Sequence, residues 1–223
     1  SKNFDWLVID MEHSVIDYEQ AQMMISIIQS KGKLAYVRVG KNDTLILKRV
    51  LDAGADGVVI PMVNSQAEAI SAVDSVFYPP FGQRGVGLSR AQGYGFKFEH
   101  YLKKQKKTHV IVQIEHFRAV KNLESILSVE GIYGSIIGPY DLSASFGVPG
   151  NFQNRDVKNA IFEYEKISRR LNKSMGYHII KPRSKEVNEI IKKGYKIIAL
   201  GFDAMFLGTM IDNTIESLKN DKL

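Results

Sequence analysis

The sequence predicts an α/β fold, a TIM (β/α)8-type barrel short of its first βα unit, with residues 1–223 read as a single domain. Three observations predict it. Short apolar runs rich in β-branched residues alternate with amphipathic stretches almost throughout. Glycine closes several of those stretches. Polar residues gather at the C-terminal ends of the apolar runs, the end of a parallel barrel where binding groups collect.

Seven runs read as strands: Trp6–Ile9, Leu34–Val37, Gly57–Ile60, Val110–Val112, Gly134–Ile137, Gly176–Ile179 and Ile197–Leu200. Their nearly continuous apolar character implies cover on both faces. Between them, apolar residues recur at three- and four-residue spacing, as in Leu47, Val50 and Leu51, and predict helices. These are Tyr18–Gln29, Leu45–Ala53, Ala67–Val76, Val120–Ser128, Asp156–Leu171, Glu186–Lys193 and Asp212–Leu218. Gly32, Gly54, Gly131 and Gly194 stand where a left-handed cap would end a helix before the next strand. A closed barrel needs eight strands, so one βα unit is expected to be missing ahead of the first run. A doubly wound open sheet is the alternative, weakened by the lack of a Gly-x-Gly-x-x-Gly turn after the first strand.

Bulk properties narrow the classes. The chain has 223 residues, 44% hydrophobic and 24% charged, enough for one large core and too apolar for disorder. It contains no cysteine, which excludes disulfides, thiolate metal sites and a cysteine nucleophile. No run is long enough to cross a bilayer and no signal peptide is evident, so a cytoplasmic protein without a membrane partner is expected. The net charge is +6, and its densest cluster is Lys103-Lys104-Gln105-Lys106-Lys107. No aromatic residue interleaves that run, so it reads as a solvated helix end and no nucleic-acid partner is expected.

The strand ends carry Asp10, Glu12, His13, Arg38, Gln113, Glu115, His116, Asp141, His178 and Asp203. Gln113 and Glu115 are two apart on one strand and share a face. If Val112 and Ile114 face the helices, this pair faces the axis, and Asp141 arrives from the neighbouring strand. Two carboxylates there suit a hard or borderline cation with open positions for substrate oxygens, and equally suit rim salt bridges. Arg38 suits a carboxylate or oxyanion, or a salt bridge to Asp10 or Glu12. His13 follows an acidic strand end, where a lone histidine is more often structural than catalytic. Asp52 lies on the following helix. His116 should face away from the axis, and Trp6 should be core. Tyr78–Gly87 is a Gly/Pro-rich loop without the Lys-Ser/Thr of a phosphate-binding loop, so it reads as a lid or a subunit contact.

At these residues the chain resembles the HpcH/HpaI-type aldolases, class II metal-dependent pyruvate aldolases of the phosphoenolpyruvate/pyruvate superfamily. The resemblance runs along nearly the whole chain. It is carried by Phe4-Asp5-Trp6, Ile9 through His13, Val37-Arg38, Asp52 through Gly54, Pro61-Met62-Val63, Tyr78 through Gly87, Gln113-Ile114-Glu115 and Ile137 through Ser143. It implies that Glu115 and Asp141 ligate Mg²⁺ or Mn²⁺, with Co²⁺ or Zn²⁺ as alternatives. Arg38 would stabilise an enolate, and His13 would exchange protons through a water with Asp52 raising its basicity. Gln113 would touch substrate, and the N–H groups of Tyr140 and Asp141 would hold the pyruvate carboxylate. A 4-hydroxy-2-oxo acid of the 2-keto-3-deoxy type would then be cleaved to pyruvate and an aldehyde, or formed from them. The family also implies a hexamer of dimers that exchange their last helix, here Asp212–Leu218.

Three positions depart from the usual pattern: Tyr140 is bulkier, and its ring would narrow the aldehyde pocket, while His116 and Met11 replace commonly small or aliphatic residues. Two other readings stand beside the aldolase. One is a CoA-ester lyase related to the citrate lyase β subunit, which thermal protection by acyl-CoA rather than pyruvate would reveal. The other is a non-catalytic barrel scaffold, favoured if the polar side chains fail to converge.

Overall fold

The structure, a computed structural model, describes residues 3–220. Seven parallel strands run β1 (Trp6–Asp10), β2 (Leu34–Arg38), β3 (Gly57–Ile60), β4 (His109–Ile114), β5 (Ile132–Ile137), β6 (Ser174–Ile179) and β7 (Ile197–Leu200), each paired with the next in sequence. The helices are α1 (Tyr18–Ser30), α2 (Thr44–Asp52), α3 (Gln66–Val76), α4 (Phe98–Lys104), α5 (Phe117–Lys121), α6 (Leu123–Leu127), α7 (Pro139–Ser145), α8 (Arg155–Arg170), α9 (Ser184–Lys192) and α10 (Asp203–Asn220).

Local chemistry starts the helices where the chain turns back. Asp17 and Gln20 form a reciprocal capping box on α1, Asp43 accepts from Leu45 and Ile46 N–H on α2, and Ser65 accepts from Glu68 N–H on α3. Leu47, Val50 and Leu51 then form a fully buried stripe on α2. Burying each such side chain is worth about 1.5–3 kcal/mol.

The sheet is curled. One apolar cluster, including Val110, Val112 and Ile114, lies with buried residues of α1, α2, α3, α6 and α8. A second contains Tyr36, Val59, Ile111, Ile136 and Ile197, with Trp6 and Ala199 packed against it. Trp6 is on β1 and Ile197 on β7, which in a flat sheet would stand six strand spacings apart, about 29 Å. Their shared cluster places them inside a half-barrel, with Trp6 stacked on Tyr36 at 5.4 Å. Gly176 lies on this inner face beside Ile136, where an added Cβ would come within 2.7 Å of the Ser135 carbonyl oxygen. The edges β1 and β7 are not paired to each other among the described residues.

Several sequence expectations are corrected. The stretch predicted as one helix over Val120–Ser128 is two, α5 and α6, broken at Asn122, whose ψ of 11° leaves the helical range. The last helix starts at Asp203 rather than Asp212, its first N–H groups met in part by Asp203 Oδ1 accepting from Ala204 at 2.8 Å. Asp203, three residues past the end of β7, is therefore an exposed helix-start residue. Periodicity also gave no sign of the short α4 and α7.

Candidate active site

The C-terminal ends of the strands bring one polar group together. On β4, Val112 and Ile114 belong to the outer cluster and Ile111 to the inner one. Gln113, two residues on from Ile111, and Glu115 beyond it therefore face inward. Glu115 is only 3% exposed. Its Oε1 accepts the Met62 N–H at 2.8 Å, and its Oε2 accepts from Gln113 Nε2. Met62 presents that N–H from a left-handed backbone, φ 53°, which costs a non-glycine residue roughly 1–2 kcal/mol. Gly138 makes the room: a Cβ there would stand 3.1 Å from Glu115 Cβ and 3.2 Å from its Oε2.

Burial pushes the Glu115 carboxyl above the usual range. The bonds from Gln113 and Met62 pull it back, the charge of Asp141 raises it further, and Arg38 lowers it. Asp141 itself is exposed in the first turn of α7, whose cap, Gly138, offers no side-chain acceptor. The N–H groups of Tyr140 and Asp141 thus lie in a first turn that a helix leaves unpaired.

Across the mouth, Arg38 grips Asp10 with two bonds, Nε to Oδ1 at 2.9 Å and Nη2 to Oδ2 at 2.7 Å, and its Nη1 lies 3.3 Å from Glu12 Oε2. Burial acts to raise the Asp10 carboxyl, but the bonds and charge of Arg38 outweigh it and hold it below the usual value. Glu12 is raised, first by burial and then by Glu115, against the pull of Arg38. Glu12 and Glu115 sense each other only because the sheet curls, since β1 and β4 in a flat sheet would be about 14 Å apart. His13 follows at the mouth, 66% exposed, its Nε2 3.7 Å from Glu12 Oε2.

Asp10, Glu12, Glu115 and Asp141 thus share the rim with the Arg38 guanidinium, which pairs with Asp10 and Glu12. Neither Glu115 nor Asp141 has an ion-pair partner among the described residues. No cluster of three or more His, Cys, Asp or Glu suited to a metal occurs among them either. Two carboxylates, one buried without a cation, fit an ion that keeps several waters.

Other expected residues are placed elsewhere. Asp52 ends α2, and α2 returns the chain to the strand-start end, where Asp56 N–H bonds the Ala35 carbonyl. There it pairs with Arg84, which is 2% exposed, donates to Tyr101 Oη at 3.1 Å and lies over the Tyr78 ring at 4.6 Å. The structure therefore does not bring His13 and Asp52 together within one chain. The Tyr78–Gly87 loop sits at that same end and is no lid over its own rim, because α3 delivers it to the starts of the strands. His116 caps α5, its Nδ1 accepting the Arg118 N–H at 3.1 Å, as a structural residue would. The Met62 N–H was invisible in the sequence, since a backbone donor leaves no residue-type signal.

A curled parallel βα sheet with an acid-rich rim at its strand ends is the architecture of the barrel class, whose binding groups collect at that end. Comparison with known proteins makes this specific. The chain belongs to the HpcH/HpaI aldolase/citrate lyase family, whose profile matches residues 1–208. It is 36% identical over 206 residues to the 4-hydroxy-2-oxovalerate aldolase of Rhodococcus jostii, covering 92% of this chain and 79% of that one. It is 32% identical over 225 residues to the 2-keto-3-deoxy-L-rhamnonate aldolase of Escherichia coli K12, covering 100% and 83%. The crystal structure of a family protein from Burkholderia cenocepacia superposes with a TM-score of 0.92 at 27% identity, covering 98% of this chain and 87% of that one. The chain is a carbon–carbon lyase, an aldolase of this family. No described helix is long and apolar enough to cross a membrane.

Proposed function

We propose that this chain is a divalent-metal-dependent aldolase that cleaves or forms 4-hydroxy-2-oxo acids, with pyruvate and an aldehyde as the other side of the reaction. The observation that carries the reading is Glu115, a buried carboxylate with no ion-pair partner among the described residues and a second carboxylate, Asp141, close enough to raise its pKa. Glu115 and Asp141 would hold Mg²⁺ or Mn²⁺. When bound, the ion supplies Lewis-acid polarisation of the 2-oxo group.

The chain's own groups do the rest. Retro-aldol cleavage removes the proton of the C4 hydroxyl, breaks the C3–C4 bond and leaves its electron pair on C3, delocalised onto the 2-oxo oxygen. Arg38 has N–H bonds to spare beyond those given to Asp10 and Glu12, and its fixed charge stabilises that oxygen. The first-turn N–H groups of Tyr140 and Asp141 suit the substrate carboxylate. Gln113 holds Glu115 with its amide and presents the same face to substrate. His13, exposed at the mouth, exchanges the C4 hydroxyl proton, directly or through a water.

The His13–Asp52 pairing implied by the resemblance needs Asp52 from a second copy. A hexamer of helix-exchanged dimers would bring copies together, and α10 supports exchange: Phe206, Leu207, Met210, Ile211 and Ile215 are all exposed on it. The test is pyruvate release from a 2-keto-3-deoxy acid, measured with saturating Mn²⁺ and after full chelation by EDTA. Release that stops with EDTA and returns with Mn²⁺ is expected; undiminished release in EDTA removes the proposal.

A further inference from the structure

His178 is a titratable side chain on the inner face of the curl that has no part in that reaction. It lies near the end of β6, two residues beyond Gly176, whose neighbours Ile136 and Ile197 belong to the inner cluster, so its ring points to the inside of the curl. It is half-buried and close enough to Arg38 and Asp10 to feel both charges. Its Nε2 lies 3.2 Å from the Gly201 carbonyl oxygen, just past the neighbouring β7. A carbonyl only accepts, so Nε2 carries the proton and Nδ1 of the neutral ring keeps a lone pair. No described residue donates to that nitrogen. Burial holds the ring below its usual pKa, Gly201 and Asp10 raise it and Arg38 lowers it, so the neutral form prevails at pH 7.

An acceptor in this place has a defined use. With Arg38 on the oxygen of the 2-oxo acid, as proposed above, a side chain on the same inner face borders the space left for the aldehyde half. A lone pair there seeks an O–H, gains nothing from an alkyl group and offers a carboxylate no donor. We propose that His178 is a specificity-determining residue that accepts, through Nδ1, a hydrogen bond from a hydroxyl on the aldehyde half, selecting hydroxylated aldehydes over alkyl aldehydes and over aldehydes that end in a carboxylate. This rests on the aldolase reading.

The experiment is aldol addition of pyruvate, with the full chain and saturating Mn²⁺, to lactaldehyde, propanal and succinic semialdehyde. The first two differ by a single hydroxyl. The wild type should favour lactaldehyde. His178→Leu should lose about 10–100-fold in kcat/KM for lactaldehyde, mostly in KM, and less than about twofold for propanal, which also shows the variant is folded. His178→Asn, whose Oδ1 can stand where Nδ1 stands and accept from a hydroxyl, should recover much of the lactaldehyde preference. Equal losses for lactaldehyde and propanal, or a wild type indifferent to the hydroxyl, overturn the inference alone. No addition to any of the three aldehydes overturns the aldolase reading and the inference with it.

Discussion

Replacing Glu115 by Gln should move stability in opposite directions with and without a divalent cation. Without one, the ionised carboxylate is a cost: it is 3% exposed, burial has raised its pKa, and Asp141 adds like charge. The glutamine keeps an oxygen for the Met62 N–H and discards the charge, and Gln113 can rotate to offer its oxygen to the new amide. The gain should be about 1–2 kcal/mol, because a buried charge is relieved while its hydrogen bonds are kept. For a chain of this size that raises Tm by about 2–8 °C. With cation at a hundred times its Kd, the wild type gains roughly 2.7 kcal/mol and the variant far less, so the order of the two proteins reverses. Scanning calorimetry of both, in EDTA and in saturating Mn²⁺, reads all four midpoints. A variant less stable than wild type in EDTA, or an equal gain from Mn²⁺ in both, would refute the reasoning.

Other expectations follow from particular contacts. Gly138→Ala has no backbone obstacle, its φ being −104°, but its methyl must stand 3.1 Å from Glu115 Cβ. It should cost about 1–3 kcal/mol and weaken Mn²⁺ binding about tenfold, as read by urea unfolding and titration, whereas a neutral variant would mean Glu115 moves freely. Arg84→Ala strands the Asp52 carboxylate and the Tyr101 hydroxyl, and should cost about 3–5 kcal/mol in urea unfolding; a loss under about 1 kcal/mol would show the pair to be unimportant. Asp10 has a folded pKa below the usual 3.8, so its stabilisation is present above that value and lost as pH falls through the lower folded one. Asp10→Asn should therefore flatten the acid limb of the stability curve below about pH 4, and an unchanged limb would contradict the assignment.

The strands were legible because burial on both faces writes itself as uninterrupted Val and Ile. All seven predicted runs coincide with strands: β3 and β7 match residue for residue, and the other five extend up to two residues beyond their runs. Helices were legible where a long stripe faces the sheet, as at Leu47, Val50 and Leu51. They were not legible where packing is slight: α4 buries no residue, and α10 exposes its apolar side chains, so periodicity had little to fix. The pair Gln113 and Glu115 could be read because strand alternation ties both to Ile111. Arg38 could be placed at the rim, but its bidentate hold on Asp10 rests on β1–β2 register, which no single position encodes. Asp52 shows the limit most plainly. A motif keeps its residue type and order without saying at which end of the strands it lies, and α2 carries this one away from His13.

Glu115 and Asp141 should act together as the cation's only protein ligands, with positions left for a 2-oxo acid. Electron paramagnetic resonance titration of Mn²⁺, with and without pyruvate, tests this directly. One tight ion per chain, a spectrum changed by pyruvate, and loss of tight binding in both Glu115→Gln and Asp141→Asn are the expected result. Tight binding that survives both substitutions, or a bound-ion spectrum indifferent to pyruvate, would contradict it.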